Sequence, residues 1–258
     1  MNTLIVHAHP EPRSLNGALA DVAVSTLTEA GHDVQVSDLY AMNWKPLVDA
    51  ADFGPAASEP LRVVADSGRA YDTGNLTPDV TAEQDKLRWA DTVILQFPLW
   101  WYSMPAILKG WVDRVFSYGF GYGVGEHNET RWGDRYGEGT LAGKRAMLSV
   151  TIGGRETHYS DRGVNGPIDD LLFPIQHGIL YYAGMRVVPP FVLYGADRCT
   201  EEDFAVAAKQ YRQRLLTLAD TTPIPYRPQN GGDYELPSLR LHAGREVPGR
   251  SGFGLHQG

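Results

Sequence analysis

Residues 92–116, TVILQFPLWWYSMPAILKGWVDRVF, constrain the fold of this chain more than any other stretch. They open as a buried strand: Thr92, Val93, Ile94 and Leu95 are β-formers in an apolar run bounded by Asp91 and Pro98. They close as a helix. Pro105 suits a first helical turn, because it needs no N–H partner and its φ is preset. Ile107, Leu108, Trp111, Val112, Val115 and Phe116 then recur at helical spacing. The connecting loop, Pro98-Leu99-Trp100-Trp101-Tyr102-Ser103-Met104, carries three adjacent aromatics. Adjacent side chains cannot all share one face, so at least one points at a pocket, a partner or water. In an open α/β sheet this loop is the carboxyl edge of a strand, where ligands bind. The rings either fill core, as aromatics do wherever they are buried, or wall a site for a flat aromatic ligand.

The rest of the chain alternates in the same way. Thr3–His7 reads as a first strand, and a helix runs from Leu15 to Ala30, ended by Gly31. Ser14 stands where an N-cap or a phosphate-contacting hydroxyl belongs. The intervening HPEPRSLN is neither GxGxxG nor a Walker loop. That argues against a dinucleotide-type Rossmann domain. Val34–Val36 forms a second strand, and residues 39–74 read as a loop-rich excursion punctuated by Gly54, Pro55, Pro60 and Gly68. A helix over 78–90 leads back to the organising strand. Residues 117–143 are rich in glycine and aromatics, and suit a mobile lid. Arg145–Thr151 is a fourth strand ending in Ile152-Gly153-Gly154, where glycines let backbone approach a ring and present N–H groups. A helix over 168–182 with a kink candidate at Pro174, a fifth strand over 187–193 and a helix over 201–218 complete the pattern. Five strands alternating with helices imply one α/β domain, residues 1–222. Its sheet is parallel, wound on both faces, in flavodoxin-like order 2-1-3-4-5. Residues 223–258 read as an irregular tail packed on the domain or on a partner subunit.

Composition excludes several functions. The 258 residues carry a net charge of −8 with no dense Lys/Arg block, which disfavours a nucleic-acid groove. The single cysteine, Cys199, cannot form an internal disulfide, and nothing around it marks a nucleophile. The N-terminal TLIVHAHP has neither the basic segment nor the long apolar run of a targeting or membrane-spanning segment, so a cytoplasmic location is expected. His7 and His9 form an H-x-H pair with no third ligand in view, and no metal is expected.

QFPLWWYSMPAILKGWVDRVF resembles the isoalloxazine-binding loop and following helix of the NAD(P)H:quinone oxidoreductases, the DT-diaphorase family. SDLYAMNWKP, the TIGG turn, FPIQHGIL and FGLHQG extend the resemblance over nearly the whole chain. It implies a homodimeric flavoprotein binding FAD rather than FMN, and taking NAD(P)H as co-substrate. Two electrons would pass to quinones by a ping-pong cycle. His9, Ser14, Leu15 and Asn16 fall on the FAD-diphosphate segment. Pro98, Leu99, Trp100, Trp101, Tyr102, Thr151, Ile152, Gly153, Gly154 and Tyr159 fall on the flavin-ring positions. Trp101 and Tyr102, with Phe120, Gly121, Tyr122 and Tyr182, fall on the substrate slot, where Tyr122 and Tyr182 come from the other subunit. Tyr159 matches the family's catalytic tyrosine. Asn165 stands where the family's proton-relay histidine stands, and an amide does not titrate. An arginine used on the adenine half corresponds to Phe204, with Arg198 a stand-in. The resemblance leaves two alternatives open: an FMN-dependent azo- or nitroreductase, and a flavin-binding ancillary regulatory subunit of a potassium-efflux transporter.

Overall fold

A computed structural model describes all of residues 1–258. Strands β1 (Asn2–His7), β2 (Asp33–Asp38), β3 (Thr92–Pro98) and β4 (Arg145–Ile152) pair in parallel in the order β2-β1-β3-β4. The fifth position, on the far edge of β4, is shared by two short parallel segments, β5 (Arg186–Val187) and β6 (Phe191–Tyr194). The order expected from sequence is therefore found, but the last strand is broken. Val188, Pro189 and Pro190 separate its halves, and a proline gives the ladder no N–H.

Helices cover both faces. α1 (Leu15–Glu29) and α6 (Glu201–Leu216) pack together on one face; α3 (Pro78–Trp89), α4 (Ala106–Val115) and α5 (Ile168–Ile175) lie on the other. Side-chain alternation along the strands divides the core accordingly. Ile5, Ile94 and Met147 join Leu19, Ala23, Ala208, Tyr211 and Leu215 in the smaller cluster. Leu4, Val6, Val93, Leu95, Phe97, Ala146, Leu148 and Val150 join Leu87, Leu108, Trp111 and Val115 in the larger.

Some boundaries and elements differ from the sequence reading. Pro105 is the N-cap, with α4 starting at Ala106. The 39–74 excursion holds a 3-10 turn (Ala50–Ala56) and an eleven-residue helix, α2 (Val63–Thr73). The helix shows no apolar period because its buried residues are Asp66, Ser67, Gly68 and Ala70, while Val63 and Val64 face out. Past Pro174 the fifth helix continues as a π-helical turn, Gln176–Tyr181, consistent with the hydrogen bond that proline cannot make.

The 117–143 segment is cross-tied rather than free. Arg131 pairs with Asp134 and Glu138 at 2.7 and 2.8 Å. Gln229 and Asn230 of the tail bond to Trp132, Gly133 and Glu138. The tail docks through Tyr226, which sits in the larger core cluster, and is tied to itself by Arg227, whose guanidinium pairs with Asp233 at 2.5 Å.

Candidate functional site

The carboxyl ends of β1, β3, β4 and β6 open onto a cleft of about 450 Å³. It is lined by His9, Ser14, Leu15 and Asn16; by Pro98, Leu99 and Trp100; by Thr151 and Gly153; and by Ala196 and Asp197. Four segments far apart in sequence meet there because parallel strands bring every carboxyl end to one edge.

One side is the start of α1. Ser14 is the N-cap, its Oγ accepting the Gly17 N–H at 3.0 Å. The Leu15 and Asn16 N–H groups, the first two of the helix, donate to nothing within the chain. They form, with the helix dipole, a ready anion site. Gly17 permits the tight entry, since a Cβ there would lie 2.2 Å from the Pro12 carbonyl oxygen. Asn16 is buried. Its Nδ2 donates to Thr151 Oγ1 at 3.1 Å, while its Oδ1 has no partner. Gln96, fully buried beneath the cleft, accepts from the Tyr211 hydroxyl at 3.1 Å and so ties β3 to α6.

The second side is the aromatic loop. Trp100 and Ser103 exchange two N–H···O bonds of 3.0 Å, closing a two-residue turn. Its central residues, Trp101 and Tyr102, have φ of 48° and 61°. That is left-handed backbone, which glycine or asparagine normally takes, and such strain persists where surrounding contacts over-determine it. The turn folds Trp100 back to within 6.1 Å of the His9 ring and projects Trp101 outward, 95% exposed. The three rings therefore separate: Trp100 lines the cleft, while Trp101 and Tyr102 are exposed. Tyr102 donates its hydroxyl to Asn165 Oδ1 at 3.0 Å.

The third side is the β4 turn. Neither Gly153 nor Gly154 donates its N–H within the chain. The glycines let neighbouring side chains come close: a Cβ on Gly153 would fall 2.3 Å from Asp197 Oδ2, and one on Gly154 would fall 2.9 Å from Tyr159 Cε2. Tyr159 therefore lies directly against the turn. Burial raises its pKa, with the neighbouring Tyr102 adding and Asn165 opposing. Ile152 is buried and its side chain belongs to the larger core cluster. The unpartnered N–H groups, the orphaned Asn16 carbonyl and the glycine-lined wall fit a planar cofactor bearing a phosphate tail.

The other sequence candidates lie elsewhere in the monomer. Phe120 is 1% exposed, packed against Phe116 and Tyr71, so its side chain is core and offers no surface to a substrate. Gly121, Tyr122 and Tyr182 border a separate hollow with Phe116 and Ile179, and share no lining residue with the cleft. Phe204 packs on the α1–α6 core, whereas Arg198 is exposed next to Asp197. Ala196 and Asp197 line the cleft without having been anticipated. They follow β6 in a short turn that carries no motif. A further cavity, about 310 Å³, lies under the tail among Phe173, His177, Phe253 and His256.

A family model described as flavodoxin-like fold matches residues 1–215. A ribosyldihydronicotinamide dehydrogenase-like protein of Penicillium crustosum is 58% identical over 99% of this chain and 95% of that protein. The Homo sapiens ribosyldihydronicotinamide dehydrogenase [quinone] is 42% identical over 86% of this chain and 94% of its own length. A solved structure from Klebsiella pneumoniae, provisionally named a quinone reductase, superposes with a TM-score of 0.97 at 57% identity, covering 100% of both chains.

Proposed function

This chain belongs to the NAD(P)H:quinone oxidoreductase family of flavodoxin-like flavoenzymes, and we infer that it is an FAD-dependent quinone reductase drawing two electrons from a dihydronicotinamide. The observation that carries the reading is the cleft itself. It unites free N–H donors at a helix start, an aromatic turn, and a Gly-Gly edge backed by a tyrosine.

Flavin, when bound, supplies both hydride acceptance and hydride return. The chain's residues do the rest. Ser14 and the Leu15 and Asn16 N–H groups would hold a phosphate. Pro98, Leu99 and Trp100 would pack along the ring system. Gly153 and Gly154 N–H groups would face its polar edge, and Tyr159 would keep its hydroxyl proton aimed at the negative charge that reduction places there. Asn165 stays uncharged throughout, so this chain would steady that charge by hydrogen bonding without a titrating relay.

FAD is favoured over FMN because the resemblance reaches segments that serve the adenine half, with exposed Arg198 available where Phe204 is not. Donor and quinone would use one flat slot in turn, a ping-pong cycle. Tyr122 and Tyr182 do not reach the cleft of their own chain, which supports a homodimer in which they complete the slot of the partner subunit. The donor is either NAD(P)H or, as the names of the two relatives suggest, ribosyldihydronicotinamide. No helix is long and apolar enough to cross a membrane, and the lone cysteine suits a reducing cytoplasm.

Anaerobic stopped-flow mixing with NADH, NADPH and dihydronicotinamide riboside, followed by a quinone chase, tests this. Fast flavin bleaching by at least one donor and fast return of colour with quinone is expected. Flavin that no donor reduces, or that returns colour only with azo or nitro acceptors, would overturn the reading.

A further inference from the structure

The cavity under the tail shares no lining residue with the cleft. Its walls come from Phe173 of α5, His177 of the π-helical turn, Tyr136 of the 117–143 segment, and the tail. Four of its rings stand in one column. Phe253 stacks on Phe173 at 4.3 Å, Phe173 on His177 at 4.5 Å and His177 on Tyr136 at 4.7 Å, with interplanar angles of 11°, 15° and 28°. Backbone bonds tie the walls together: the Gln229 N–H donates to the Tyr136 carbonyl at 3.3 Å, and the Arg227 N–H to the His256 carbonyl at 3.0 Å. Two lining residues, Tyr136 and Leu239, hold left-handed backbone with φ of 51° and 54°. Such strain gathers at ligand-holding sites, as it does in the aromatic turn beside the cleft.

The polar groups of the wall decide what the cavity can hold. Arg227 is its only ionised side chain, and the guanidinium is taken up by Asp233 at 2.5 Å and by the Leu255 and Arg245 carbonyls at 3.2 and 2.6 Å. Gln229 is likewise engaged, accepting from Arg135 and donating to the Trp132 carbonyl. The imidazoles are not fully engaged. His256 uses Nδ1 on the Tyr234 hydroxyl at 2.9 Å, and His177 is stacked between rings with no hydrogen-bond partner in the chain. Burial holds His177 down at about 4 and lowers His256 as well, so near pH 7 both rings are neutral, each with one donor and one acceptor nitrogen. Neutral imidazoles beside a column of rings, with no free charge, match a neutral flat molecule carrying a hydroxyl. About 310 Å³ is the small end of ligand pockets and suits one or two fused rings.

We propose that this cavity is a second ligand site, taking a neutral phenol of one or two fused rings that lies against the aromatic column and hydrogen-bonds through its hydroxyl to His177. The site is built from residues outside the flavin cleft and does not depend on the reaction assigned to that cleft.

Isothermal titration of the full chain with 2-naphthol, with FAD in excess, tests this. 2-Naphthol should bind, and 2-naphthoate at least tenfold more weakly, because no free cation meets its carboxylate. His177→Phe keeps the column and removes the hydrogen-bond partner, so the affinity for 2-naphthol should fall about three- to tenfold. Phe253→Ala, on the exposed part of the tail, leaves the helix untouched and should weaken binding about tenfold by removing one end of the column. The same 2-naphthol affinity in wild type and both variants would place the probe elsewhere and overturn the proposal. So would 2-naphthoate binding as tightly as 2-naphthol, or a wild-type chain that does not bind 2-naphthol.

Discussion

Replacing Gly154 by alanine moves Tyr159 without changing its chemistry. The new methyl would lie 2.9 Å from Tyr159 Cε2 and 3.2 Å from its hydroxyl oxygen. Carbon atoms are comfortable at about 3.5 Å or beyond, so something must yield by roughly half an ångström. The backbone is held, because the Gly154 carbonyl accepts the Gly195 N–H at 2.9 Å. Tyr159 is only partly buried and is therefore the group that swings. Gly154 is absent from the positive-φ positions, so alanine fits its backbone, and the fold should change in stability by no more than about 1 kcal/mol. Displacing a hydrogen-bond donor by half an ångström forfeits most of one charge-assisted bond, about 1.5 kcal/mol, or roughly tenfold in rate. Stopped-flow flavin reduction beside a thermal melt reads both quantities. Reduction at the wild-type rate, with the melt unchanged, would refute the placement of Tyr159 against the reacting ring.

Tyr159→Phe should lower the hydride-transfer rate by about tenfold or more while flavin stays bound; unchanged reduction would remove Tyr159 from the mechanism. Arg114→Met should cost roughly 3 kcal/mol in urea unfolding. It leaves Asp52, whose side chain is 3% exposed, with only Lys45 of the two cations that pair with it. An unmoved urea midpoint would show that this buried pair contributes nothing net. Burial, with the nearby His256 adding, holds His177 down at about 4 against an ordinary 6.5. The unfolded chain therefore takes up the proton first. Stability from this group is full above about pH 6.5 and drains away as pH falls toward 4, by up to about 3 kcal/mol. His177→Asn should flatten that acid limb, measured as the difference in urea midpoint between pH 7 and pH 5. An equal drop in wild type and variant would assign the pH dependence to other groups.

The organising stretch was legible because strand period, proline punctuation and helix period follow one another without interruption from Thr92 to Phe116. The start of α1 was legible for a similar reason: Ser14 caps it as its residue type suggests. What escaped was non-local. The α2 helix hides its period by burying Asp66, whose carboxylate accepts from Ser58 and the Arg62 N–H and sits well below the carboxylate range, at about 2. The fifth strand broke at two prolines, and the short turn that follows its second half set Ala196 and Asp197 in the cleft, a placement that no local pattern encodes. The family resemblance located Tyr159 and Asn165 in sequence. It gave no hint that Asn165 is engaged by Tyr102, because that contact spans 63 residues and depends on two left-handed residues in a turn. The glycine-rich 117–143 segment suggested mobility from composition, yet its charged residues tie it to itself and to the tail.

The most direct test of the whole account is an absorbance spectrum of the purified protein before and after anaerobic addition of a dihydronicotinamide, with mass analysis of the released cofactor. The account predicts a yellow protein that bleaches rapidly and releases FAD. A protein that cannot be loaded with FAD or FMN, or that binds flavin and keeps its colour with every donor, would contradict it.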